Sequence, residues 1–181
     1  MVLRKKSQDR GKIAQGTTAG SGVFMSAERQ TAADDGQPIL KILKAHPRIA
    51  LPQYESGGAA GMDLRAFLDS DVIIPPLRRV KIPTGLRIEL PEGYEAQIRP
   101  RSGLAINSGL TVLNSPGTID SDYRGEIEII LINLGAEDVT IKDGGRIAQL
   151  VVAPVCRLKP VETQALSGTE RGSAGFGSTG V

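Results

Sequence analysis

The sequence predicts an all-β domain, a jelly-roll-like barrel or sandwich of short strands with one short helix. Three observations predict it. From residue 38 onward, short apolar runs alternate with polar residues and are cut by turns. The 181 residues include 22 Gly and 11 Pro, a turn-rich composition. The chain also lacks the repeated strand–helix–strand pattern that a parallel sheet requires. Its length suits one domain with a buried core. With aromatics at 3% and no Trp, that core must be built from Ile, Val and Leu.

Taken in order, residues 1–37 stand apart. Arg4, Lys5, Lys6, Arg10 and Lys12 face a lone Asp9 there, with Gly, Ser and Thr between them. Such a segment buries too little apolar surface to fold alone. It reads as a disordered extension, with Met25 as an alternative start, rather than as a targeting peptide, because it has neither an apolar core nor a clear amphipathic helix. The β domain is assigned to residues 38–165. ILKIL at 39–43 is its first strand. DVIIPP and RRVKIPTG read as short strands broken by their prolines. Leu86, Ile88 and Leu90 alternate with Arg87 and Glu89. After Pro91-Glu92-Gly93, Tyr94, Ala96 and Ile98 alternate with Glu95, Gln97 and Arg99, so 86–98 is predicted to be a β-hairpin. A short helix is predicted over 102–108. Strands follow at 125–134 and in DVTIKD. The nearly continuous apolar run at 146–155 is expected to be buried on both faces. Residues 166–181 lose all periodicity and are expected to form a mobile, Gly-rich lid.

Composition narrows the function. A net charge of +2 is too balanced for a general nucleic-acid binder, so phosphate chemistry must come from local arginines. The single cysteine, Cys156, excludes intrachain disulfides and a cysteine zinc cluster, and is expected as a buried or half-buried strand thiol. No apolar run is long enough to span a membrane. The sequence reads as a soluble, cytoplasmic protein.

The richest stretch is 113–127, LNSPGTIDSDYRGEI, where a Pro-Gly turn, two aspartates, a tyrosine and an arginine precede an alternating strand. Polar loops anchored to a rigid strand are where binding and catalytic groups usually sit. Asp120 is the candidate general base. On an extended segment, Asp120 and Asp122 would face opposite ways. An EF-hand reading fails, because Arg124 and Leu131 stand where oxygen ligands belong. At 99–103, two arginines, Ser102 and Gly103 open the helix and could clamp a phosphate; the plainer reading makes Ser102 an N-cap. Asp63, alone, is a turn aspartate. Gly175, Gly177 and Gly180 spell G-x-G-x-x-G, and GSAGFGST nearly spells a Walker A loop. Both need a following helix, and the sequence stops at Val181. Consecutive glycines can still offer N–H groups to phosphate oxygens, with Arg171 adding charge and Phe176 a flat face for a base.

Together, AGMDLRA (60–66), PRSGLA (100–105), NSPGTIDSDYRGEI (114–127), GGRIAQLV (144–151) and RGSAGFGSTG (171–180) resemble the five ordered motifs of the trimeric deoxyuridine triphosphatase (dUTP pyrophosphatase) family. The resemblance runs over 39–180. It implies a homotrimer with active sites shared between subunits, and hydrolysis of dUTP to dUMP and pyrophosphate with Mg2+ on the triphosphate. It implies that Asp120 activates the attacking water and that Tyr123 packs under the deoxyribose. Asn114, the backbone of Gly117, Thr118, Ile119 and Asp120, and the strand at Glu128 would read the uracil. Arg101, Ser102, Gly103 and Gln149 would hold phosphates, and Asp63 would support the metal through water. Arg171, Phe176, Gly177, Ser178 and Thr179 would close as the lid. The alternatives are a dCTP deaminase of the same fold and a catalytically silent nucleotide-binding regulator.

Overall fold

The computed structural model describes residues 36–175. The chain divides into two units, Met1–Gln37 and Pro38–Val181, and every element below belongs to the second. Its elements are β1 (Lys41–Lys44), β2 (Met62–Arg65), β3 (Val72–Ile74), β4 (Arg79–Glu89), β5 (Tyr94–Arg99), α1 (Ser102–Ser108), β6 (Leu110–Val112), β7 (Gly117–Ile119), β8 (Glu126–Asn133), β9 (Val139–Ile141) and β10 (Arg146–Pro154). All pairings are antiparallel. One sheet runs β1-β4-β8-β6, a second β2-β10-β5-β7, and β3 and β9 form a separate ribbon. The result is a nearly all-β, jelly-roll-like sandwich with one short helix.

Period-2 alternation explains how the two sheets share one core. In β8, Ile127, Ile129, Leu131 and Asn133 point inward, as do Ile82, Leu86 and Ile88 of β4. From the second sheet, Leu64, Ala96, Ile98, Ile119, Ala148 and Leu150 join the same aliphatic cluster. Asn133 is fully buried but satisfied: its Nδ2 donates to the Ile74 and Glu137 carbonyls, and its Oδ1 accepts from Gly135 N–H. Each such bond contributes about 1 kcal/mol, and leaving one unmade would cost more. Asn133 therefore ties the β3–β9 ribbon to the sheet.

Three sequence expectations change. The predicted hairpin at 86–98 is absent: β4 and β5 lie in different sheets, and the turn at 91–93 carries the chain across the sandwich. Both halves alternate because both face the common core, so the pattern looks the same as a hairpin's. Second, β4 is one strand of 11 residues, with Pro83 inside it. Pro83 sits beyond the reach of β1, whose last pair is Lys44↔Leu86, and at the start of a bulge. Between Pro83↔Glu128 and Arg87↔Glu126, β4 advances four residues while β8 advances two. An even offset keeps every side chain on its own face. Thr84 stabilises the bulge by donating to the Ile127 carbonyl at 2.7 Å, and Gly85, at φ +66°, donates its N–H to Glu126 Oε1. Third, Cys156 is exposed rather than buried. β10 ends at Pro154, and residues 155–175 carry no strand or helix.

The run at 146–155 is largely as expected. β10 lies between β2 and β5, and Ile147, Ala148, Leu150 and Val151 are all buried. A register shift between Arg146 and Ala148 sets the strand's pairing with β2. Among the described residues, no helix is long and apolar enough to cross a membrane.

Candidate active site

The segment singled out in the sequence folds into one wall of a cleft. Leu113 and Asn114 turn the chain out of β6, the Ser115–Pro116 peptide is cis, and Gly117 opens β7. Gly117 is needed there for closeness, because a methyl at that position would lie 3.1 Å from the Asn114 amide and 3.4 Å from Ile98. After Ile119 the chain turns at once, with Tyr123 N–H donating to the Asp120 carbonyl at 3.1 Å. Asp120 and Asp122 therefore lie in a turn and not on extended backbone, which corrects the facing argument made from sequence. Tyr123 is held by its hydroxyl, which donates to the Glu126 carbonyl at 3.1 Å. Its ring occupies the space over Gly125, where any larger residue would overlap it. Arg124 folds back, donating to the carbonyls of Ser121 and Tyr123.

The cleft so formed measures about 230 Å³ and is lined by Asn114, Gly117, Thr118, Ile119, Asp120 and Tyr123, with Glu128 on the facing strand. Its floor is aliphatic, from Ile98, Val112, Ile127 and Ile129. That volume lies below the range of about 300–1,000 Å³ usual for drug-sized ligands, so it suits a small ligand or one part of a larger one. Asp120 is exposed at the edge, and its carboxylate makes no hydrogen bond or ion pair with other described residues. Lys81 and Glu126 also line the cleft, and sequence reasoning passed over both. Lys81 Nζ donates to Glu128 Oε2 at 2.8 Å, and that hydrogen bond and negative charge hold the ammonium above the ordinary lysine range. Lys81 reads from sequence as an outward residue of an edge-like strand, with nothing to mark its partner.

A second cluster forms where β2, β10 and the start of α1 meet. Asp63 is its centre, with a side chain only 14% exposed. Arg101 donates to it through Nε at 2.9 Å and Nη2 at 3.5 Å, and Arg146 through Nη1 at 3.2 Å. Gln149, opposite Asp63 in the β2–β10 register, donates from Nε2 to the Pro100 carbonyl at 2.9 Å. Arg101, not Ser102, is the N-cap of α1, and no side chain caps the helix. Ser102 and Gly103 are exposed and free to face a ligand. Among the described residues, no three His, Cys, Asp or Glu side chains group to hold a metal.

The two clusters do not meet on one chain. The cleft's lining includes none of Asp63, Arg101, Ser102 and Gln149. Ile119 pairs with Ala96 and Gln149 with Arg99, both across β5. Three residues along the strand and two strand spacings put Ile119 and Gln149 about 14 Å apart on an ideal sheet. Arg171 is exposed, its Nε donating to the Ala174 carbonyl at 2.9 Å within a turn of the tail. Phe176, Gly177, Ser178 and Thr179 lie outside the described residues.

The dUTPase family model matches residues 48–180. The chain belongs to the dUTPase family. It is 54% identical to the deoxyuridine 5'-triphosphate nucleotidohydrolase of Brucella melitensis over 155 residues, covering 83% of this chain and 99% of that protein. It is 58% identical to the Rhizobium etli protein of the same name over 135 residues, 74% of this chain and 86% of that one. Among solved structures, the dUTPase of Staphylococcus bacteriophage 80alpha with dUPNHPP matches with a TM-score of 0.68 at 27% identity, covering 79% of this chain and 99% of that chain. Each of the five dUTPase-like motifs except the last falls wholly inside the described residues, and each falls on one of the two clusters or on the tail.

Proposed function

We propose that this protein hydrolyses dUTP to dUMP and pyrophosphate, with Asp120 as general base. The observation that carries this reading is the single small cleft into which Asn114, Gly117 to Asp120, Tyr123 and Glu128 are gathered. A uracil ring needs polar edge contacts and flat apolar walls. Asn114 and the backbone of 117–120 provide the first; Ile98, Val112 and Ile127 provide the second. Tyr123, pinned through its hydroxyl, is a rigid shelf for a deoxyribose and would crowd a 2′-hydroxyl. A rigid pocket that pairs with the uracil edge leaves buried polar groups unpaired when cytosine enters, which is costlier than crowding alone.

In the proposed step, a water attacks the α-phosphorus, its proton passes to the Asp120 carboxylate, and the bond to the bridging oxygen breaks to release pyrophosphate. A positioned base contributes about 10²–10⁴-fold. The remaining acceleration must come from charge stabilisation and positioning of the phosphates, as in phosphoryl transfer generally. Arg101, Ser102, Gly103 and Gln149 are the proposed phosphate ligands. The tail, with Arg171, Phe176, Gly177, Ser178 and Thr179, is the proposed lid that excludes water.

The donor set fits a Mg2+ carried by the substrate and not by a protein cage. Asp63 is one carboxylate already shared by two arginines, and Mg2+ binds readily through phosphate oxygens and water. Asp63 would hold such an ion through water, and the ion would neutralise phosphate charge. The separation of the two clusters supports a homotrimer in which the nucleoside cleft of one subunit faces the Asp63–Arg101 cluster of another. We place the reaction in the cytoplasm, where dUMP would feed thymidylate synthesis and low dUTP would keep uracil out of DNA.

The test is a nucleotide panel. Purified full-length protein with Mg2+ is expected to release pyrophosphate from dUTP and to leave dTTP, dCTP and UTP essentially untouched. Equal turnover of all four would overturn the assignment, and ammonia release from dCTP would favour a deaminase.

A further inference from the structure

The geometry points to Arg146 as a positioning residue that keeps Arg101 available to the substrate's phosphates. The inference rests on the proposed dUTP hydrolysis and adds a residue that hydrolysis alone does not require.

Helix α1 buries none of its side chains fully, and only its half-buried Leu104 is packed against the core. A single apolar contact holds one face of the helix, and bonds at its two ends complete the placement of Arg101, Ser102 and Gly103. At the far end, Gly109 and Gly135 meet backbone to backbone, with Leu134 N–H donating to the Gly109 carbonyl at 2.9 Å. At the near end, Gln149 holds the Pro100 carbonyl and Asp63 holds the Arg101 guanidinium. The placement of the Arg101 guanidinium itself therefore rests on Asp63.

Charge makes Arg146 more than a brace. Asp63 and Arg101 alone would form a neutral pair with the carboxylate largely buried, and a guanidinium so satisfied is a poorer phosphate ligand. Arg146 Nη1 takes Asp63 Oδ2, the oxygen that Arg101 reaches only at 3.5 Å, and leaves Arg101 its short bond to Oδ1. One carboxylate between two guanidinium groups carries a net positive charge. Asp63 therefore orients Arg101 without cancelling it. The neighbouring Arg65, directly opposite Arg146 in the register, turns its Nη1 to the Gly144 carbonyl at 3.0 Å and leaves Asp63 alone. The bulge between Arg146 and Ala148 sets the strand's register at the residue that makes this contact.

The experiment compares wild type, R146Q, R146M and R146K as full-length proteins. Binding of dUMP and of a non-hydrolysable imido analogue of dUTP is measured by calorimetry, beside kcat and KM for dUTP. An ion pair with one partner 45% exposed contributes little to stability, so the variants are expected to fold, which circular dichroism verifies. R146Q and R146M should bind the analogue about 10- to 100-fold more weakly, the weight of a lost charge-assisted hydrogen bond, while dUMP affinity stays unchanged. R146K, which restores the charge, should recover most of that loss. A role in the stability of the whole fold would weaken both ligands alike, and that result would overturn the inference. So would analogue affinity in R146Q equal to wild type, or R146K as weak as R146Q. Wild-type protein that turns over no dUTP would instead overturn the functional reading on which the inference stands.

Discussion

At the scale of single residues, the cleft works because its groups are held by different kinds of contact. Tyr123 is fixed by a hydrogen bond and by the absence of a side chain at Gly125, whereas Asp120 stands at the rim with an uncommitted carboxylate. This difference suits the two proposed roles: a shelf must not move, and a base must keep its lone pairs for water. Asp120→Asn removes the base but keeps size and polarity. It is expected to bind the imido analogue as wild type does while losing turnover by about 10²–10⁴-fold. Single-turnover kinetics with dUTP checks this, and wild-type rates in the variant would remove Asp120 from the base role. These residues were legible in the sequence because they are contiguous, within 114–128. Arg146 was not, because its partner Asp63 is 83 residues away and nothing local marks the pair. Lys81 was hidden for the same reason, 47 residues from Glu128.

At the scale of elements, periodicity located seven of the ten strands, missing the short β2, β6 and β7, and it did not give any strand its neighbours. Residues 86–90 and 94–98 alternate in step, and the alternation reports only that each has one buried face. Whether two such runs pair or face each other across a core depends on the turn between them. At 91–93 the turn crosses the sandwich. Pro83 misled in the opposite way, since a proline at a bulge interrupts nothing. The helix at 102–108 was legible in full, although its cap was not: a serine after an arginine looks like an N-cap whichever residue takes the position. What the sequence could not reveal is that α1 is bonded at both ends and meets the core through Leu104 alone. Gly109 adopts φ +65°, and a methyl there would come within 2.7 Å of Gly135 Cα. Gly109→Ala should therefore cost about 1–2 kcal/mol for the left-handed conformation, with the overlap adding to it. Urea denaturation is the measurement. If α1 is positioned as argued, the surviving folded protein should also show weaker binding of the imido analogue with dUMP binding retained.

At the scale of the whole molecule, the question is how two clusters that lie apart on one chain could serve one nucleotide. The cleft has Asp120 at its edge, and the arginine cluster begins across two strands of the same sheet. Closing that gap within a subunit would require moving β7 relative to β10, and both are locked to β5 by regular ladders. A second copy of the chain would close it without any rearrangement, and in the proposed cyclic trimer each cleft would have one neighbouring cluster. The consequence can be tested by complementation. Asp120→Asn and Arg101→Ala proteins should each be nearly inactive alone. In a shared site, an Asp120→Asn subunit still offers an intact arginine cluster, and an Arg101→Ala subunit an intact base. When the two are unfolded together and refolded as a mixture, about a quarter of the sites in randomly assembled trimers should combine both intact halves. Turnover should then rise from near zero towards about a quarter of the wild-type value per site. If base and arginine belonged to the same subunit, every site would carry one defect and the mixture would stay as inactive as its parts. A mixture that forms mixed trimers by native mass spectrometry yet recovers no activity would therefore place the whole site on one chain. The separation of the clusters would then need a conformational change, not a neighbour.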